Sequence, residues 1–95
     1  MNILGYNYTI TANLDEDTMG AYGRFHSKKL QLQIASDLCH QQEISSVLHE
    51  ILEALNYHLG WGLEHKIVTG LEAGLYQVLT ENGVDLMPLT KDILK

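Results

Sequence analysis

The chain has one cysteine, Cys39, one proline, Pro88, one tryptophan and one phenylalanine. A lone cysteine excludes an internal disulfide and predicts a reducing, cytoplasmic setting, with the thiol acting as a small, semi-buried hydrophobe. Cations are scarce: 6 Lys and Arg stand against 12 Asp and Glu, for a net charge of −6. That balance argues against a nucleic-acid surface, which needs clustered Lys and Arg. No apolar run reaches the ~20 residues of a membrane span. The start, Met1-Asn2-Ile3-Leu4, has neither the basic residues nor the apolar block of a secretory leader.

What is present is unevenly placed. Between Leu30 and His65 there is no Lys or Arg, while Asp37, Glu43, Glu50, Glu53 and Glu64 fall there with His40, His49, His58 and His65. An acidic, imidazole-rich segment suits a bound cation or a cationic partner, and a solvated acidic face has the same composition. Ninety-five residues predict one domain over 1–95.

From Leu4 to Ala12 the even positions are apolar and the odd ones are not, which predicts a strand buried on one face. Asn13 to Thr18, with Asp15-Glu16-Asp17, reads as a solvated loop whose spacing matches no calcium loop. A second strand is expected over Gly20–His26, a turn at Ser27-Lys28-Lys29, and a third strand over Leu30–Ala35. Arg24, Lys28 and Lys29 put positive charge at the hairpin tip, as suits an exposed strand end. Residues 1–35 thus predict a three-stranded antiparallel sheet.

Ser36-Asp37 offers caps for a helix. Ile44, Val47, Leu48, Ile51, Leu52, Leu55 and Leu59 recur every three or four positions, so 41–59 is expected to be an amphipathic helix. Gly60 suits the left-handed position that ends it. A second helix is expected over 63–82, closed by Gly83, with the stripe Ile67, Val68, Leu71, Leu75, Val78 and Leu79. Gly70 and Gly74 flank that stripe and predict close approach to the sheet or first helix. The short Gly60-Trp61-Gly62 link makes the two helices antiparallel. In the tail, 84–95, Pro88 is placed to begin a last turn through Leu94. The fold class is therefore α+β: a small sheet, then two long antiparallel helices and a short tail.

Within the first helix, His49 and Glu53 are four residues apart and share a face, so both can point at one ion. Glu50 projects about 100° further round. A carboxylate beside a metal pair, but not in it, is what is needed to deprotonate an attacking water. A solvated i,i+4 pair is the plain alternative. Zinc in hydrolases usually has three protein ligands, and two histidines with one glutamate is a known set. The start of the second helix offers Glu64 and His65. Chemistry favours His65, because two neutral imidazoles and one carboxylate leave the ion a net positive charge.

These residues, read as Ser45-Ser46-Val47-Leu48-His49-Glu50-Ile51-Leu52-Glu53-Ala54-Leu55, resemble the active-site helix of zincin metallopeptidases, whose motif is HExxH. More closely, the chain resembles the minimal ImmA/IrrE-like zincin domains of bacteria and their phages. The resemblance spans about Tyr22 to Asn82 and includes Leu71-Glu72-Ala73-Gly74-Leu75-Tyr76-Gln77-Val78-Leu79, which looks like the second-helix core of the phage members. It implies His49 as first metal ligand, Glu50 as general base, and Glu53 in the place of the second histidine, an HExxE variant. His65 stands near the place where one branch carries a glutamate, so the His, His, Glu total is kept.

The implied activity is zinc-dependent peptide hydrolysis, with metal-activated water attacking a peptide bond. The implied substrate is a protein or peptide whose backbone pairs with an edge strand, here Leu30–Ala35. Tyr57 and His58 are oxyanion candidates beyond the ligands, or else surface residues. A mixed imidazole and carboxylate site also accepts iron or manganese. Two other readings compete: a catalytically inactive protein-binding module that keeps the fold, and a helical hairpin that dimerises through Trp61 and the Gly70/Gly74 surface.

Overall fold

The computed structural model describes residues 1–14 and 23–94. The expected loop at Asp15–Thr18 and the first residues of the Gly20–His26 strand lie outside the described residues.

The chain opens with a hairpin, β1 (Asn2–Ile3) against β2 (Tyr6–Asn7), closed by Leu4 and Gly5 at φ 53° and 88°. Two-residue hairpin turns require positive φ at their centre, and Gly5 supplies it without cost. The Asn2 side chain supports the turn by accepting from the Gly5 N–H at 3.0 Å. This turn breaks the expected strand over Leu4–Ala12. Leu4 and Tyr6 are exposed, whereas Tyr8, Ile10 and Ala12 keep the alternation and are buried.

Tyr8 leads into, and Ile10 and Ala12 belong to, a mixed three-stranded sheet made of β3 (Thr9–Leu14), β4 (Gly23–His26) and β5 (Gln31–Ala35), in the order β3-β5-β4. β4 runs antiparallel to β5, but β3 runs parallel to it. The expected all-antiparallel sheet is thus corrected. Alternation tells which side chains share a face; it carries no information on strand order or direction. The same result removes Leu30–Ala35 as an edge. β5 is central, with Leu32, Ile34 and Ala35 fully buried, and its backbone is used on both sides.

Helix α1 (His40–Leu59) lies on one face of the sheet. Its N-cap is Cys39, which is exposed, not Ser36 or Asp37. The Gln42 side chain accepts from the Cys39 N–H at 3.2 Å, satisfying a donor that the helix leaves orphaned. Val47 and Ala54 join Ile3, Tyr8, Ile10, Ala12, Leu32 and Ile34 in the core, with Phe25, Ile51 and Leu55 packed against them. At the other end, Gly60 takes the left-handed conformation, φ 65°, as expected.

Helix α2 (His65–Glu81) returns beside α1 and buries only Val68. Beyond the helix's own neighbouring backbone and adjacent residues, no atom lies within 4 Å of where a Cβ would be on Gly70 or Gly74, so neither glycine marks a close approach to another element. After Gly83, a 3-10 turn spans Met87–Thr90, earlier than the Lys91–Leu94 turn expected. Leu94 instead adds to the outer side of β3. The Ala12 N–H donates to its carbonyl and its own N–H donates to Ile10, both at 2.8 Å. Among the described residues, no helix is long and apolar enough to cross a membrane.

Candidate metal centre

The centre is built across the helical hairpin. On α1, the i,i+4 relation sets the side chains of His49 and Glu53 one above the other, both half-buried. His65 is the first residue of α2 and reaches them from the facing helix. Donor atoms of His49, Glu53 and His65 all lie within 4.8 Å of one another, and the His49 and His65 rings are 5.0 Å apart. Three ligands at tetrahedral angles and ~2.1 Å from zinc would be about 3.4 Å apart. Two imidazoles and one carboxylate placed in this way could hold a divalent ion.

The loop between the helices explains how His65 arrives. The Asn56 amide grips the backbone of Leu63 twice, donating to its carbonyl at 3.1 Å and accepting from its N–H at 2.9 Å. The clamp holds the chain two residues before His65. Glu64 has extended backbone at the N-cap of α2, so helical-wheel placement does not apply to it. Its side chain turns outward to Lys66 at 3.7 Å and takes no part in the group.

Glu50 occupies the neighbouring position on α1, 5% exposed and turned to the sheet. Its carboxyl lies against Gly23 of β4 so closely that a Cβ on that glycine would stand 2.7 Å from Oε2. Burial is the main reason its pKa is pushed up from 4.5 to about 8, and the nearby Glu53 charge adds to it.

Two residues that sequence reasoning passed over complete the surroundings. Glu72 on α2 points inward, with Oε1 3.5 Å from His49 Nδ1, and its Oε2 accepts from the Ser45 hydroxyl at 2.6 Å. With Nδ1 engaged, Nε2 of His49 is the nitrogen left for a ligand. The signal was in the spacing: Glu72 follows His65 by seven residues, two turns along the same helix face.

Tyr57 and His58 are placed elsewhere. His58 is nine residues, half a helical turn in phase, from His49. Its Nε2 meets the Tyr8 hydroxyl at 2.5 Å and its ring stacks on Tyr6 at 4.5 Å, while Tyr57 packs edge-on against Phe25 at 5.6 Å. They join helix to sheet on the side away from the metal group. Burial raises the Tyr8 hydroxyl pKa, with smaller contributions from Tyr57 and Tyr6.

No protein-family model, curated protein or solved structure matches the chain.

Proposed function

We propose that the chain is a zinc-dependent, metallopeptidase-like protein in which His49, Glu53 and His65 hold the ion and Glu50 is the general base. One observation carries the reading: three donors of the right types converge from two helices, with the buried carboxyl of Glu50 on the same helix as two of them. Zinc in such a site supplies a Lewis acid that polarises a carbonyl and makes water more acidic. Glu50 takes the proton of the attacking water and passes it to the leaving amine. Its pKa near neutrality suits both halves of that shuttle.

Glu72 and Ser45 hold the His49 ring in place. Substrate backbone would pair with β4, not with the central β5. Among the described residues β4 is an outer strand, and its Gly23 lies against Glu50. The cationic partner called for by the acidic composition is then the metal itself, and the polymer partner is a peptide or protein.

Metal content by plasma mass spectrometry, on untagged protein and on His49→Ala, His65→Ala and Glu53→Gln, tests the site. Near-stoichiometric zinc, lost in the variants, is expected, as is cleavage of a peptide mixture that disappears in Glu50→Gln with metal retained. Iron or manganese in the same place would change the ion and keep the ligand set. No metal above background after zinc is added back would overturn the proposal. Bound zinc without any cleavage would favour the inactive protein-binding module, in keeping with Glu53 standing where the resembled motif has histidine.

A further inference from the structure

Helix α2 turns most of its apolar stripe away from the protein. Ile67, Leu71, Leu75 and Val78 leave 44, 41, 38 and 51% of their surface in water, and Val68 is the only buried residue of the helix. On the 3.6-residue repeat these four fall within an arc of about 80°, with Gly74 about 20° and Gly70 about 60° beyond one edge of it. Both glycines face open space. The stripe carries no charge between Lys66 and Glu81, because Glu72 is turned inward to His49 and Ser45.

We propose that this face binds a second copy of the chain, α2 packing antiparallel on α2 across a two-fold axis near Gly74. Three features favour self-association over another occupant. The first is size. The four side chains and the glycine backbone present roughly 400 Å² of apolar surface, close to the apolar share, about 57%, of the ~800 Å² that each partner buries in a standard interface.

The second is shape. In a register centred on Gly74, that glycine meets its own copy and Gly70 lies opposite Val78 of the second copy. Small residues thus sit where a neighbouring helix or a large side chain must fit, and the two-fold repeats each contact. The third is charge. Lys66 and Glu81 stand at opposite ends of α2, on the flank of the stripe that carries the two glycines, and are both exposed. Antiparallel pairing brings each Lys66 beside the Glu81 of the other copy, whereas parallel pairing sets like charges together.

The inference is independent of the metal centre, and its test is mass in solution. Sedimentation equilibrium on the full chain should show a concentration-dependent species of twice the 10.7 kDa chain mass. Leu71→Glu and Val78→Glu should each weaken the dimer at least tenfold while circular dichroism stays unchanged, since both side chains are already solvated. Lys66→Glu should weaken it, and adding Glu81→Lys in the same chain should restore it.

A single 10.7 kDa species at hundreds of micromolar would overturn the proposal and leave the face to another partner or another segment. A dimer indifferent to Leu71→Glu and Val78→Glu would overturn this face as the interface. Failure of Glu81→Lys to rescue Lys66→Glu would overturn the antiparallel arrangement.

Discussion

Glu72 and His49 face each other across the helical hairpin, carboxylate Oε1 to imidazole Nδ1 at 3.5 Å, and Ser45 secures the second carboxylate oxygen at 2.6 Å. A carboxylate behind a ligating histidine fixes its tautomer and raises its basicity, and losing one typically costs 10- to 100-fold in metal affinity. Glu72→Gln should therefore weaken zinc binding within about that range while leaving the thermal midpoint of the metal-free protein nearly unchanged. Competition with a chromophoric chelator measures the first and scanning calorimetry the second. Equal zinc affinity in wild type and variant would show that Glu72 does not act on the site.

Glu50 makes the stability of the metal-free protein depend on pH. Its folded pKa, about 8, is raised above the 4.5 of a free glutamate, so the folded state holds a proton that the unfolded state has released. The stability from this group is fully present below pH 4.5, falls as pH rises, and is gone above about 8. The upper bound is about 5 kcal/mol, from 1.36 kcal/mol per pKa unit. In chelator-treated samples, urea midpoints of wild type should drop from pH 5 to pH 8 more steeply than those of Glu50→Gln. Parallel curves for the two proteins would exclude a buried, proton-holding Glu50.

Gly23 is where the sheet makes room for Glu50. A Cβ there would meet Glu50 Oε2 at 2.7 Å and the Gln33 carbonyl oxygen at 3.0 Å. The carboxyl can swing away, but the Gln33 carbonyl belongs to the central strand and cannot. Gly23→Ala should cost about 1–3 kcal/mol as an overpacking defect, read as a lower denaturation midpoint. It should also reduce any peptide cleavage by displacing Glu50. Wild-type stability in this variant would mean that β4 and α1 are further apart than described.

Asn56 links loop geometry to the metal group. Asn56→Ala removes both hydrogen bonds to Leu63 and leaves that backbone half-buried. The expected loss is about 1–3 kcal/mol, together with weaker zinc binding, because that loop holds His65, the proposed third ligand. Asn56→Asp keeps the acceptor and loses the donor, so it should fall between. If Asn56→Ala lowers stability but leaves zinc affinity intact, His65 is positioned by α2 and not by the clamp.

Helix periods, the i,i+4 pair His49 and Glu53, the neighbouring Glu50 and the Gly60 terminus were all legible in the sequence. Each depends on contacts within about one helical turn, and local spacing states such relations directly. The cap was less legible, because Gln42 with Cys39 does what Ser36 or Asp37 was expected to do. The first strand was misread at Leu4 and Tyr6, since a two-residue turn with positive φ reverses the chain inside an unbroken alternation.

Only the tertiary structure decided how distant segments meet. It set β3 parallel to β5, which put Leu30–Ala35 at the centre of the sheet and left β4 outside. The Asn56 clamp brought His65 to His49 and Glu53, Glu72 was turned inward behind His49, and most of the α2 stripe was left in water. The amino-acid sequence alone determined the helices, the face on which His49 and Glu53 meet, and the side chains available for chemistry, because these follow from residue type and short-range periodicity. Strand order, the approach of His65 to His49 and Glu53, and the exposed face depend on which elements pack together, and packing is settled by the burial of the whole chain rather than by any one segment.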